Sequence, residues 1–156
     1  MVIDADGLFL IMQNVELIHD YKNVILTPNA MELFRLIGDS DDKLQALAEK
    51  VGKTVIVLEK AMNDRIYDTE NLLKVECPVG GSNRRCGGQG DLLAGAVATF
   101  FHWALNNPDL SESANNEFSP AILACYAASF LIKYCNKLAY DKLGRSMKAQ
   151  DMIKEI

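Results

Sequence analysis

The 156 residues predict an α/β domain with a mostly parallel sheet. Three observations carry that prediction. Short apolar runs, "NVILT" (23–27) and "TVIVLEK" (54–60), have the length and composition of strands covered on both faces. Segments with a 3.6-residue apolar period separate them. Alternation of strand and helix in this order indicates parallel strands joined by crossover helices, with helices on both faces.

Taken in order, Val2-Ile3-Asp4 reads as the end of a first strand, with the chain starting almost inside it. In "LFLIMQNVELIHDY" (8–21), Leu8, Ile11, Met12, Val15 and Ile18 share one helical face. "NVILT" is stopped by Pro28, after which 31–37 reads as a helix. "DDKLQALAEKV" (41–51) predicts another, with Leu44, Leu47, Ala48 and Val51 inward and Gly52 ending it. "TVIVLEK" is the third strand, and "RIYDTENLLKVEC" (65–77) reads as a hairpin around 68–71. A loop over 78–90 follows. "DLLAGAVATFFHWAL" (91–105), apolar on nearly every side, reads as a helix inside the domain. "NNPDLSESANNEFS" (106–119) reads as a surface loop. A long helix is predicted over 120–144, with Pro120 near its first turn and Gly144 at its end. "SMKAQDMIKEI" (146–156) makes a last short helix.

Length and charge narrow the function. The chain is long enough for one domain with a real core. A net charge of -5 argues against non-specific nucleic-acid binding, which depends on clustered Lys and Arg. No apolar run approaches the ~20 residues of a membrane span. "MVIDADGLFL" lacks the basic start and cleavage site of a signal peptide and is too acidic for a mitochondrial transit peptide, so no targeting segment is expected here. Cys77, Cys86, Cys125 and Cys135 show no C-x-x-C spacing, which speaks against zinc and for free thiols in a reducing compartment.

The chemistry concentrates in "NRRCGGQGDLLAG" (83–95). Between a strand region and a helix N-terminus, the amides of Gly87, Gly88, Gln89 and Gly90 can converge on an anion. The helix adds roughly half a positive charge there. Glycine permits close approach and positive φ. Arg84 and Arg85 can add charge-assisted hydrogen bonds. The run is no Walker A motif, because no G-K-[ST] follows, and Gly88, Gly90 and Gly95 do not make G-x-G-x-x-G. A plain structural turn is the alternative. Asp91 likewise has two open roles: a helix-terminal charge worth about 0.3–1 kcal/mol, or a base for an attacking hydroxyl beside a phosphate. Asn29 and Glu32 stand just past a strand end, where open α/β sheets bind ligands. Their spacing is also that of a helix capping box.

"VIDADGL", "ILTPNAMELFRL", the strand ending in Lys60, "RRCGGQGDLLAG" and "GRS" occur in the order seen in the ATP-dependent NAD(P)H-hydrate dehydratases, and the chain resembles the C-terminal part of that family, eukaryotic type. The resemblance implies a ribokinase-like three-layer α/β/α sandwich whose N-terminal strands have no counterpart here. It implies ATP-dependent dehydration of the S form of hydrated NADH or NADPH (NADHX, NADPHX), with the C6 hydroxyl phosphorylated and phosphate then lost. Asp91 falls on the family's catalytic aspartate, which also contacts the hydrate. Asn29, Ala30, Met31, Glu32, Leu33, Phe34 and Arg35 fall on its hydrate-binding stretch. Lys60, Ala61, Met62, Asn63 and Asp64, with Gly81, Ser82, Asn83, Arg84, Arg85, Cys86, Gly87, Gly88, Gln89 and Gly90, fall on its ATP-binding stretches. Mg²⁺ is implied as a companion of ATP, held by phosphate oxygens and water rather than by protein ligands.

The resemblance also implies functional pairing with an NAD(P)H-hydrate epimerase and a cytoplasmic or mitochondrial location. Three departures stand out: Ala61 replaces a family glycine, residues 39–52 are shorter than in animal relatives, and the family's upstream strands and the glycine-bearing loop that contacts the hydrate have no counterpart here, the first strand being clipped. If that family glycine has positive φ or touches the adenine, Ala61 costs about 1 kcal/mol. The clipped start predicts an exposed sheet edge, marginal stability and association into a homo-oligomer. A ribokinase-like small-molecule kinase and a non-catalytic nucleotide-binding fragment remain the alternatives.

Overall fold

A computed structural model describes residues 1–19, 21–111 and 118–156. They form two compact units, 1–76 and 77–156.

The first unit is a sheet with helices. Its elements are β1 (Val2–Ile3), α1 (Ala5–Gln13), β2 (Val24–Leu26), α2 (Ala30–Ile37), α3 (Lys43–Val51), β3 (Val55–Glu59), β4 (Asp64–Asp68) and β5 (Leu73–Cys77). The strands lie in sequence order. β1, β2 and β3 are parallel, in the register Ile3↔Leu26↔Val57. β3 and β4 are antiparallel, with Val57 opposite Tyr67. The mostly parallel sheet therefore holds for the first three strands only. The four-residue connection 60–63 is far too short for a crossover, and a hairpin is the pairing it permits.

Register sorts the core. Val24, Leu26, Val55, Val57 and Tyr67 share a face and pack with Leu8 and Ile11 of α1, Leu33 and Leu36 of α2, and Leu47 and Val51 of α3. Ile25, Ile56, Leu58 and Ile66 alternate onto the other face and are buried too. Each fully buried aliphatic side chain contributes about 1.5–3 kcal/mol. The helix expected over 8–21 is interrupted: α1 ends at Gln13, Asn14 leaves helical geometry (φ -143°), and a 3₁₀ turn covers Val15–Leu17. Asn14 turns its amide back onto Leu10 O, 3.3 Å away. Tyr21 lies outside any helix and Asp20 outside the described residues. In the β4–β5 hairpin, Asp68 Oδ1 accepts from the amides of Glu70 (2.9 Å) and Asn71 (3.2 Å).

The second unit is helical: α4 (Gln89–Leu105), α5 (Pro108–Ser111), α6 (Pro120–Leu143) and α7 (Ala149–Ile153). Ser119 caps α6, its Oγ accepting from Ile122 N at 3.3 Å, and Pro120 opens the helix. Gly144, at φ 55°, ends it. α4 is not buried on all sides as its composition suggested. Leu93, Val97, Phe101 and Ala104 form one buried stripe, while Trp103 on the other side is 61% exposed, its ring against that of Phe100. Among the described residues of this unit the main packed neighbour is α6, which covers one stripe of the helix. The expected loop over 106–119 opens with the single turn of α5; its residues 112–117 lie outside the described residues. All four cysteines are free thiols, and among the described residues no helix is long and apolar enough to cross a membrane.

Candidate functional site

Parallel pairing gathers the C-terminal ends of β1, β2 and β3 on one edge of the first unit, the edge where open α/β sheets bind ligands. Asp4, Asn29 and Lys60 follow those three strands. Asn29 and Lys60 form a parallel bridge, and Lys60 N donates to Pro28 O at 2.8 Å. Lys60 Nζ reaches Asp4 Oδ1 at 2.6 Å, both side chains being partly buried. Asp4 lies in the "VIDADGL" segment but was assigned no site role. Its signal was an acid directly after the first strand.

Asn29 caps α2. Its Oδ1 accepts from Met31 N (2.9 Å) and Glu32 N (3.0 Å), while its own amide donates to Glu32 Oε2 at 2.7 Å. The capping box is therefore real, and it engages one atom of each side chain. Asn29 Nδ2 and Glu32 Oε1 are the groups each has for a ligand. Ala30, Met31, Phe34 and Arg35 are exposed along α2. Leu33 is 1% exposed and belongs to the core, forming only the floor of a concavity it shares with Ala30, Phe34, Ile37 and Lys43. In the β3–β4 loop, buried Asp64 accepts from Ala61 N at 2.9 Å, Met62 is exposed, and Asn63 Nδ2 donates to Glu76 Oε1 at 2.8 Å. Positive φ among non-glycine residues occurs at Ala5, Asn23 and Leu72. Ala61 is not strained, so the alanine there carries no backbone cost of its own.

Beside this edge Glu59, 2% exposed, accepts from Lys43 Nζ (2.7 Å), Tyr67 Oη (2.7 Å) and Arg65 (3.4 Å). Burial pushes its carboxyl up, but the Lys43 and Tyr67 hydrogen bonds and the charges of Lys43 and Arg65 outweigh it and hold the group below its ordinary value. Burial and the Glu59 carboxylate push the Tyr67 phenol far up, so it stays a donor. The cluster ties α3 to β3 and β4, next in the chain to Lys60.

In the second unit the glycine loop is organised from α6. Asn136 Oδ1 accepts from Ser82 N (2.6 Å) and Ser82 Oγ (2.8 Å), and its Nδ2 donates to Arg84 O (3.1 Å) and Gln89 Oε1 (3.4 Å). Gly81 passes so close that a Cβ would lie 2.7 Å from Asn136 Oδ1. Asn83, Arg84, Arg85, Gly87 and Gly88 are exposed, and Cys86 is half-buried with Sγ 3.9 Å from Met152 Sδ. Gly88 is the N-cap of α4 in left-handed geometry, φ 87°. Gln89 and Gly90 are the first two residues of α4; the Gln89 amide, expected to face an anion, donates instead to Cys86 O at 3.3 Å, while the Gly90 and Asp91 amides have no intrahelical acceptor. Asp91 is exposed in that turn, and no side chain caps the helix. Its structural role here is that of an acidic residue in the first turn of α4. Asn136 was missed by motif reasoning; a polar residue at an inward position of an apolar helix was the available signal.

This geometry can bind an anion at a helix N-terminus and present a carboxylate beside it. The fold class is ribokinase-like α/β. A solved structure of a hypothetical protein from Streptococcus mutans superposes with a TM-score of 0.69 over 99% of this chain and 52% of its own, at 26% identity. A ribokinase-like superfamily protein from Enterococcus faecalis gives 0.66 over 97% and 48%, at 22% identity. The NAD(P)H-hydrate dehydratase family model matches residues 1–156, and the chain belongs to that family. Proteins named ATP-dependent (S)-NAD(P)H-hydrate dehydratase are 56% identical in Aedes aegypti and 40% identical in Homo sapiens, each across the whole of this chain. The chain spans about half the length of these curated relatives, 45% and 46%.

Proposed function

We propose that this chain carries nucleotide-binding and reaction groups of an ATP-dependent (S)-NAD(P)H-hydrate dehydratase. The observation that carries the proposal is the glycine run at the N-terminus of α4, with Gly88 left-handed and Asp91 exposed in the first turn. In this reading the loop amides and Arg84 and Arg85 take the phosphates of ATP. The C6 hydroxyl of NADHX or NADPHX attacks the γ-phosphorus as Asp91 takes its proton, and ADP departs. The C6–O bond then breaks with loss of phosphate, and a proton leaves C5 to restore the ring double bond. Phosphoryl transfer of this kind asks for positioning and charge neutralisation more than covalent help. Lys60, with the 60–64 loop around it, contributes to the ATP side, and the exposed face of 29–35 to the hydrate side.

Among the described residues no group of three or more His, Cys, Asp or Glu side chains is arranged to hold a metal. Mg²⁺ enters this proposal as part of the MgATP substrate, held by phosphate oxygens and water. An epimerase interconverting the two hydrate forms is the expected functional partner, since an S-specific enzyme leaves the other form unrepaired. The test is ATP-dependent recovery of the near-ultraviolet absorbance of reduced nicotinamide from purified hydrate. Recovery with release of ADP and phosphate supports the dehydratase. A stable phosphorylated product would mark a kinase, and ATP binding without turnover a nucleotide-binding fragment.

A further inference from the structure

We propose that Asn136 is the positioning residue of the phosphate cradle: its buried amide clamps the two limbs of the 81–89 loop together and so sets where the amides at the start of α4 point. The proposal rests on the nucleotide reading of that loop. Asn136 is 1% exposed, on the inward face of α6 between Ile132 and Ala139. A primary amide has two acceptor and two donor positions, and here each has a partner in the loop. The acceptor oxygen takes the Ser82 amide and hydroxyl, on the incoming limb. The donors reach Arg84 O, before the cradle, and Gln89 Oε1, at its far end on the first residue of α4.

Two further features fit the same design. Gly81 leaves room for the amide, because a Cβ there would sit 2.7 Å from Asn136 Oδ1 and 3.3 Å from Lys133 O. From another element, Ala149 of α7 stands where a Gly88 side chain would go, 3.1 Å from its Cβ position. The Asn136 side chain thus crosses the base of the loop, alongside the Gln89 N to Cys86 O bond within it. No shorter polar side chain spans both limbs, and no apolar one satisfies Ser82 N or Arg84 O. Asn136 touches no ligand atom in this scheme; it acts through the amides it places.

The test uses the 156-residue chain and isothermal titration with MgATP and, separately, with adenosine, which has the base and sugar but no phosphate. Asn136→Asp keeps the shape and the bonds from Ser82 but turns a carboxylate toward Arg84 O and Gln89 Oε1. Ser82→Ala removes one clamp contact without adding charge. We expect Asn136→Asp to weaken MgATP about tenfold or more, as for one misplaced charge-assisted hydrogen bond, and to leave adenosine within about twofold. Ser82→Ala should move the same way by a smaller factor. A folded Asn136→Asp chain that binds MgATP within about twofold of the parent overturns the inference, and so does an equal loss of MgATP and adenosine. If Asn136→Asp does not fold, Ser82→Ala decides, since it alters only the loop. Gly87→Ala in parallel separates the two levels. A parent that binds no MgATP overturns the cradle reading and this inference with it. Binding that responds to Gly87→Ala but not to the Asn136 and Ser82 variants overturns this inference alone.

Discussion

Two neighbouring glycines of the loop should respond differently to alanine, and the structure gives the size of the difference. At Gly88, φ is 87° and an added Cβ would stand 3.1 Å from Ala149 Cβ, with Asp91 Oδ2 at 4.0 Å. Left-handed geometry costs an L-residue about 1–2 kcal/mol, and the tight contact with Ala149 adds to that, less so the more readily α7 gives way. Gly88→Ala should therefore lose about 1–2.5 kcal/mol of stability. For a chain of this length that lowers Tm by about 2–4 °C per kcal/mol. Gly87 has no positive φ, and nothing lies within 4 Å of its Cβ position. Gly87→Ala should leave Tm within about 2 °C of the parent, since an unstrained surface change stays within about 0.5 kcal/mol. Its effect should appear only with ligand: if phosphate oxygens approach that backbone, the methyl group occupies their space and MgATP affinity falls. Thermal melts and titration calorimetry on the three proteins read both quantities. Gly88→Ala melting with the parent would show that the left-handed cap is not what shapes the loop. Gly87→Ala binding MgATP like the parent would show that the exposed backbone at 87 is not part of an anion site.

Asp91→Asn should change stability by less than about 1 kcal/mol, because the side chain is exposed and makes no capping bond. Turnover of the hydrate should fall about 10²-fold or more if Asp91 is the base, with MgATP affinity kept; activity within a few-fold of the parent would leave it only a helix-terminal charge. Glu59 predicts a pH effect. Its carboxyl is held below the ordinary 4.5 in the folded chain, so its contribution is complete above that value and is lost as pH falls below it through the folded value. Glu59→Gln keeps an acceptor for Tyr67 but loses both ion pairs. Lys43 and Arg65, 39% and 35% exposed, can rehydrate, so the cost at neutral pH should be about 1–2 kcal/mol rather than the 3–5 of a fully buried pair. Urea titrations of parent and variant should converge as pH drops below 4.5; a constant gap would count against the charge cluster.

Much of this chain is written locally. Strands at 24–26 and 55–59 follow from runs too apolar for any surface, and α6 from Pro120 and Gly144 at its two ends. The capping box of Asn29 and Glu32 was legible because its partners are three residues apart. The glycine run before α4 was legible as a candidate anion site or a structural turn, and the left-handed Gly88 at the helix start fits both readings. What the sequence could not order were contacts between residues far apart in the chain. Lys60 finds Asp4 across 56 positions and Ser82 finds Asn136 across 54, and neither spacing has a local signature. The direction of β4 depended on a loop too short to cross the sheet, and the exposure of Trp103 on how many neighbours α4 acquires. Composition sets which residues can be buried. Only packing decides which face of an apolar helix is covered, and which polar side chain within a core meets a loop that needs it.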